Sequence, residues 1–251
     1  MKIWVNDRLV DASSEFLDEA GWPHGSGLFE TMRTEDGRVQ LLSRHMRRAI
    51  ASGRELGISI PNEDAIFDAV DALLLAEVHQ IGRLRLTFAN DQFIATHLPY
   101  KTKVDGYKIS VLRDSLLPLG RQHKSYPYTS RLAILDEASR NGFDEVITIG
   151  ADGRVTEGAT SNYLFRIDGQ WITPPMSAGL LPGVIRALAI EECGVAVRDI
   201  EEGDLNRCDA AIIVSSLKIA QTVSMIDGRT LVNDEDVAQI CSKLSDIAAS
   251  H

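Results

Sequence analysis

Four turn signals, each set between two β-prone runs, constrain this chain most. Asn6-Asp7 divides KIWV from RLV, and Glu35-Asp36-Gly37 divides LFETMRT from RVQLL. Ala151-Asp152-Gly153 divides DEVITIG from RVTEG, and Asp168-Gly169 divides NYLFRI from QWITP. Asn, Asp and Gly tolerate the positive φ of tight turns, so each signal predicts an antiparallel hairpin. Helical patterns lie between them. Ser43 is placed to cap a helix running to about Leu56. Asn62 is placed to cap a second, whose Ile66, Val70, Leu74 and Val78 recur every four residues on one face. GRLRLTFA, QFIATHLPY and YKISVLR read as strands. A third helix is predicted from about Tyr128 to Arg140, and a fourth over VIRALAIEEC after Pro182-Gly183. AAIIVSSL reads as a buried strand, and DEDVAQICSKLSDIAAS as a closing helix. Hairpins mixed with helices, without strict β-α-β alternation, predict an α+β fold in two lobes.

A length of 251 residues leaves room for a core in each lobe. RDSLLPLGRQ, residues 113–122, carries Pro118 and Gly120 between two regular stretches and reads as a linker. It would join a smaller N-terminal α+β domain, 1–112, to a larger C-terminal domain, 123–251. Asp and Glu outnumber Lys and Arg by 36 to 26, a net charge of −10. That charge speaks against nucleic acid and anionic membranes as partners. No apolar run nears the roughly 20 residues of a membrane helix, and MKIWVNDRLVDASSEF lacks the apolar centre of a signal peptide. Cys193, Cys208 and Cys241 are odd in number and widely spaced, which predicts no zinc site and fits a reducing cytoplasm.

Single residues reveal little about chemistry. Gly25-Ser26-Gly27 is not followed by the third glycine of a dinucleotide fingerprint, and GLLPG (179–183) has no Lys-Ser/Thr of a phosphate loop. Gly183 does open directly into VIR, and a helix N-terminus offers N–H groups and a positive dipole end to a phosphate. Lys124 in HKSYPY, Arg48 in HMRR and Glu157 in RVTEGATSN each read, in isolation, as solvated charges.

Taken in order, these residues sit in HGSGLFETMR (24–33), LLSRHMRR (41–48), HKSYPY (123–128), DGRVTEGATSN (152–162), ITPPMSAGLLPGVIR (172–186) and IIVSSLKIAQTV (212–223). With these stretches the chain resembles the class IV aminotransferases, the fold-type IV pyridoxal 5'-phosphate (PLP) enzymes. That family includes branched-chain and D-amino-acid aminotransferases and aminodeoxychorismate lyase. The resemblance implies two lobes with the cofactor in the cleft between them, and a homodimer. It implies that Lys124 bonds the cofactor, that Glu157 partners its ring nitrogen and that Arg48 binds its phosphate. Val184 and Ile185 would give backbone N–H groups to the same phosphate, and Ser216 its hydroxyl. Thr160, Ser161 and Asn162 would line the cofactor, and Tyr128 would lie near its ring oxygen. The chemistry suits these residue types: a carboxylate favours a protonated ring nitrogen, and a phosphate dianion needs charged donors.

Thr31, in LFETMR, stands where the family's lyases have threonine and its branched-chain aminotransferases tend to have glycine. The resemblance therefore implies a small-molecule substrate, 4-amino-4-deoxychorismate, converted to pyruvate and 4-aminobenzoate on the way to folate. ANDQFIATHLPY, without the Arg-Gly-rich segment of many lyases, and Ser215, where many have Asn, depart from that pattern. The alternative is a branched-chain or D-amino-acid aminotransferase, with Arg83 or Arg85 of GRLRLTF as carboxylate binders. Alternation with Leu84 and Leu86 predicts instead that both arginines lie on a solvated face. A PLP-fold binding protein without turnover is a further alternative, for which the presence of both Lys124 and Glu157 has no use.

Overall fold

The computed structural model describes residues 1–89, 92–103, 105–113 and 123–250. Two compact units result. The first holds Met1–Lys101 and His123–Tyr128; the second holds the described residues of Thr102–Gln122 and Thr129–Ser250.

In the first unit β1 (Lys2–Val5) and β2 (Arg8–Asp11) form the hairpin expected at Asn6-Asp7, where Asn6 adopts φ 55°. β3 (Gly27–Glu35) turns through Asp36-Gly37 into β4 (Arg38–Val39). Two helices follow, α1 (Leu42–Leu56) and α2 (Glu63–Ala76), then β5 (Ile81–Ala89) and β6 (Gln92–Pro99). The antiparallel sheet runs β2-β1-β6-β5-β3-β4. One face packs on the helices through Leu28, Met32, Leu84, Leu86 and Phe88 against Ile66, Ala69, Val70 and Leu73.

Two helix expectations are corrected here. α1 begins at Leu42, one residue before Ser43, and its N-cap Leu41 takes a left-handed backbone with no side-chain cap. Asn62 does cap α2, its Oδ1 accepting from Ala65 N at 2.9 Å, but the buried stripe is Ile66, Ala69, Val70 and Leu73. Leu74 is only half-buried and Val78, beyond the helix end, is exposed, because a strict spacing of four drifts around a helix of 3.6 residues per turn.

The expected division at 112 and 123 does not coincide with the two units. β7 (Tyr107–Leu112) joins the second sheet, while β8 (Ser125–Tyr126) returns to pair with Gly27 and Leu28 of β3. A Cβ on Gly27 would overlap the Phe88 carbonyl and the Tyr126 ring, so this pairing needs glycine there. Of the expected linker, residues 114–122 lie outside the described residues.

The second unit continues with α3 (Thr129–Arg140), β9 (Glu145–Thr148), β10 (Asn162–Ile167) and β11 (Gln170–Thr173). Then come α4 (Val184–Glu192), β12 (Ala196–Val197), β13 (Cys208–Ser215), β14 (Ile219–Ile226), β15 (Arg229–Thr230) and α5 (Glu235–Ala249). The sheet order is β12-β11-β10-β13-β14-β7-β9, with β15 beside β14. Pairs β11–β12, β14–β7 and β7–β9 are parallel and the others antiparallel. The turn at Asp168-Gly169 has φ 52° and 76°, as its sequence demands. In the Ala151–Gly153 hairpin the RVTEG arm pairs back through the bridge of Ile149 to Val155, and its Arg154 bridges Glu201. Tyr163, Phe165, Ile213, Ile109 and Ile147 fill the core.

Candidate active site

In the first unit Lys124 stands just before β8, and its carbonyl accepts from Phe29 N at 2.8 Å. Its Nζ lies 4.5 Å from the centroid of the Phe29 ring and 5.4 Å from that of Tyr128. The two rings meet edge-to-face at 5.1 Å. Phe29 and Thr31 are two apart on β3, so their side chains share a face. Lys124, Tyr128 and Thr31 are therefore gathered on one side of the sheet.

Arg48 belongs to the other side. Its Nε and Nη2 donate to Oε1 and Oε2 of Glu30 at 2.8 and 2.6 Å, a two-pronged contact with a fully buried carboxylate. His45 Nδ1 lies 2.7 Å from the same Oε2. Burial disfavours charge on Glu30, but Arg48 and His45 outweigh it and hold the carboxyl at about 2. Burial also pushes His45 below its ordinary value against the pull of Glu30. His45 is then neutral at pH 7 and donates Nδ1–H, and Arg48 carries the charge that neutralises Glu30. The stretch HGSGLFETMR contains Glu30, but nothing in the sequence joins it to a helix residue fifteen positions on.

In the second unit Glu157 is buried. Its Oε1 accepts from Arg131 Nη2 at 2.7 Å; its Oε2 accepts from Leu181 N at 2.9 Å and Asn162 Nδ2 at 3.3 Å. Arg131 sits in the first turn of α3 and was not legible as a site residue. Three donors leave a carboxylate room for a fourth, such as a ring N–H. α4 begins at Val184 and Ile185 with Gly183 as N-cap and no side-chain cap. A Cβ on Gly183 would overlap Asn162 Oδ1, so the glycine lets the helix start come close to that side chain. Thr160 and Ser161 have internal partners. Both hydroxyls donate to the buried Glu145, at 2.6 and 3.1 Å, and accept from Lys218 Nζ. Ser216 lies in the β13–β14 turn.

Taken unit by unit, the residue types fit PLP. In the first an amine over aromatic rings can bond an aldehyde; in the second a bare start of a nine-residue helix suits a phosphate, and a fixed carboxylate suits a ring nitrogen. Among the described residues no group of three or more His, Cys, Asp or Glu converges as a metal site. No helix among them is long and apolar enough to cross a membrane.

Arg83 and Arg85 do not lie on a solvated face. Both are part-buried, and Arg85 stacks on Trp22 with its guanidinium carbon 3.7 Å from the ring centroid.

Residues 27–226 match the model of the amino-transferase class IV family. A putative branched-chain-amino-acid aminotransferase of Methanocaldococcus jannaschii is 28% identical over 98% of this chain and 94% of that protein. A bifunctional aminodeoxychorismate lyase / D-amino acid transaminase of Mycobacterium tuberculosis is 26% identical over 92% of each. A hypothetical aminotransferase of M. tuberculosis, solved in a PLP-bound form, superposes with a TM-score of 0.86 at 22% identity, covering 100% of this chain and 99% of that one. The two units, the bare start of α4 and the amine on the β3 face thus belong to a chain of the class IV aminotransferase family, a PLP-dependent enzyme.

Proposed function

We propose that this enzyme is a 4-amino-4-deoxychorismate lyase. Thr31 carries the proposal: its side chain shares the β3 face with Phe29, whose ring lies under the Lys124 amine. The M. tuberculosis relative, named for both a lyase and a D-amino acid transaminase activity, supports it.

PLP, when bound, supplies the electron sink for the charge left as a substrate carbon loses its proton. Lys124 would bond the cofactor aldehyde, and its Nζ, when free of that bond, would take the proton from the substrate carbon that bears the amine. The Thr31 hydroxyl hydrogen-bonds along the path of that proton. The C–O bond to the enolpyruvyl group breaks, the ring becomes aromatic as 4-aminobenzoate, and the departing enolpyruvate takes up a proton as pyruvate. Glu157, fixed by Arg131, Leu181 N and Asn162, would set negative charge at the ring nitrogen. Arg48 in the first unit, and the N–H groups of Val184 and Ile185 with the Ser216 hydroxyl in the second, are the groups that would hold the phosphate. Asn162, Thr160 and Ser161 would line the cofactor, the last two as struts between Glu145 and Lys218, and Tyr128 flanks the amine.

The second reading, an amino-acid aminotransferase, draws on the name of the M. jannaschii relative. A parallel assay decides. Pyruvate release from aminodeoxychorismate, with Thr31→Ala lowering kcat more than cofactor affinity, is the expected result. Amino transfer from a panel of L- and D-amino acids without pyruvate release replaces the lyase with the aminotransferase.

A further inference from the structure

At a ring nitrogen paired with a carboxyl group, two bases compete for one proton. Glu157 is only 4% exposed, and burial disfavours the charged form of a carboxyl group. Two of its donors, Leu181 N and Asn162 Nδ2, are neutral. The third is the Arg131 guanidinium, itself buried, whose Nη2 donates to Oε1 at 2.7 Å. Among the described residues it is the one cation within salt-bridge distance of Glu157.

The guanidinium is built into the loop it serves. α3 presents Arg131 from its first turn, and Nη1 donates to the carbonyls of Gly158 and Ala159 at 3.1 and 3.2 Å. The chain just after Glu157 therefore wraps around the same side chain that grips its carboxylate. The other charges nearby are committed elsewhere. Glu145 accepts from Ala159 N and Thr160 N, and Lys218 Nζ stands 3.9 Å from it. Arg186 of α4 feels Glu157 through space, but its guanidinium donates to Thr173 Oγ1 and the Pro174 carbonyl, at 3.1 and 2.6 Å. Without Arg131, Glu157 would be buried among neutral donors alone. A carboxyl group in that state lowers its energy by taking up a proton.

We propose that Arg131 is a positioning residue for a proton: its fixed charge keeps Glu157 an anion, so that the proton between carboxylate and ring sits on the ring nitrogen. This role rests on Glu157 being the partner of that nitrogen. One proton is placed and no other bond changes. On the nitrogen it gives the ring the positive charge that draws electrons from the substrate carbon. On the carboxyl group it would leave the ring neutral and a poorer sink.

Nitrogen NMR of the holoenzyme, loaded with PLP isotopically labelled at its ring nitrogen, tests this at pH 7. The wild type is expected at the protonated position. Arg131→Gln keeps a donor for the loop carbonyls and removes the charge. It is expected to move most of the signal to the neutral position and to lower kcat roughly 10- to 100-fold with KM little changed. Arg131→Lys, which restores the charge, returns the signal to the wild-type side. Infrared spectra of the full-length apoprotein give a readout independent of the cofactor. A protonated carboxyl band appears in Arg131→Gln and vanishes when Glu157→Gln is added. An arginine that only braces the loop lowers urea resistance but leaves the nitrogen signal and the carboxyl region as in the wild type, and that result overturns the role. So does a neutral ring nitrogen in the wild type. Should Arg131→Gln not fold, Arg131→Lys carries the test, and a neutral nitrogen signal in it overturns the role. Glu157→Gln in the same NMR experiment separates the two ideas. An unmoved signal there refutes the pairing of Glu157 with the ring. A signal that moves in Glu157→Gln but not in Arg131→Gln refutes the role of Arg131 alone.

Discussion

Replacing Arg48 by alanine is expected to cost fold stability before it costs cofactor. Arg48 holds both oxygens of Glu30, a carboxylate buried under the first sheet with a neutral His45 as its other partner. Against its burial, Arg48 and His45 hold Glu30 at about 2 rather than 4.5. Each tenfold change in protonation is worth about 1.36 kcal/mol, so that interval amounts to about 3 kcal/mol. Breaking a buried ion pair from one side costs about 3–5 kcal/mol, which agrees in size. A depressed carboxylate gives stability that is fully present above pH 4.5 and is lost as the pH falls toward 2. The Arg48→Ala penalty should therefore be full at pH 7 and shrink below pH 4.5. Urea unfolding of the apoprotein at pH 7 and pH 3 measures it. Glu30→Gln with Arg48→Met removes both charges and should recover most of the stability, while cofactor affinity stays roughly 10- to 100-fold down. Wild-type urea resistance in Arg48→Ala, or a double variant no more stable than the single one, would refute the reasoning.

Borohydride reduction of the yellow holoprotein should leave the label on the Lys124 peptide; a label on Lys218 or another lysine would reassign the amine. Glu157→Gln offers one oxygen where Arg131, Leu181 N and Asn162 use two, so it should lose about 1–3 kcal/mol in urea unfolding. Its turnover at full cofactor absorbance should fall roughly 10²- to 10³-fold, and unchanged turnover removes Glu157 from the mechanism. Asn62→Ala removes the cap of α2 and should cost about 1 kcal/mol, with kinetics at native conditions unaltered.

What the sequence made legible was local. The hairpins at Asn6-Asp7, Asp36-Gly37 and Asp168-Gly169 could be read because turn chemistry is decided within four residues. The cap at Asn62 and the helix after Gly183 follow the same logic. Pairing between distant segments could not be read. Nothing in YKISVLR says that it lies between β14 and β9, and nothing in HKSYPY says that it edges β3. Charged residues misled in a particular way. The alternation of Arg83 and Arg85 with leucines gave the correct pleat, but it carried no knowledge of Trp22, sixty residues upstream, lying over that face. Glu30–Arg48–His45 and Glu157–Arg131 were invisible as pairs for the same reason. The roles of Lys124, Arg48 and Glu157 came from resemblance, since each in isolation looks like a surface charge.

The first unit is discontinuous, and that orders events in its synthesis. A ribosome that has delivered residues 1–101 has made six of the strands in this sheet and both helices that cover it, yet not β8. The outer edge of β3 at Gly27 and Leu28 stays open until residues 125 and 126 emerge, after β7 of the other unit. Lys124 arrives with that late strand. A nascent chain therefore acquires its proposed reactive amine in the same step that closes the sheet edge, and cannot present the amine against Phe29 while the sheet is unfinished.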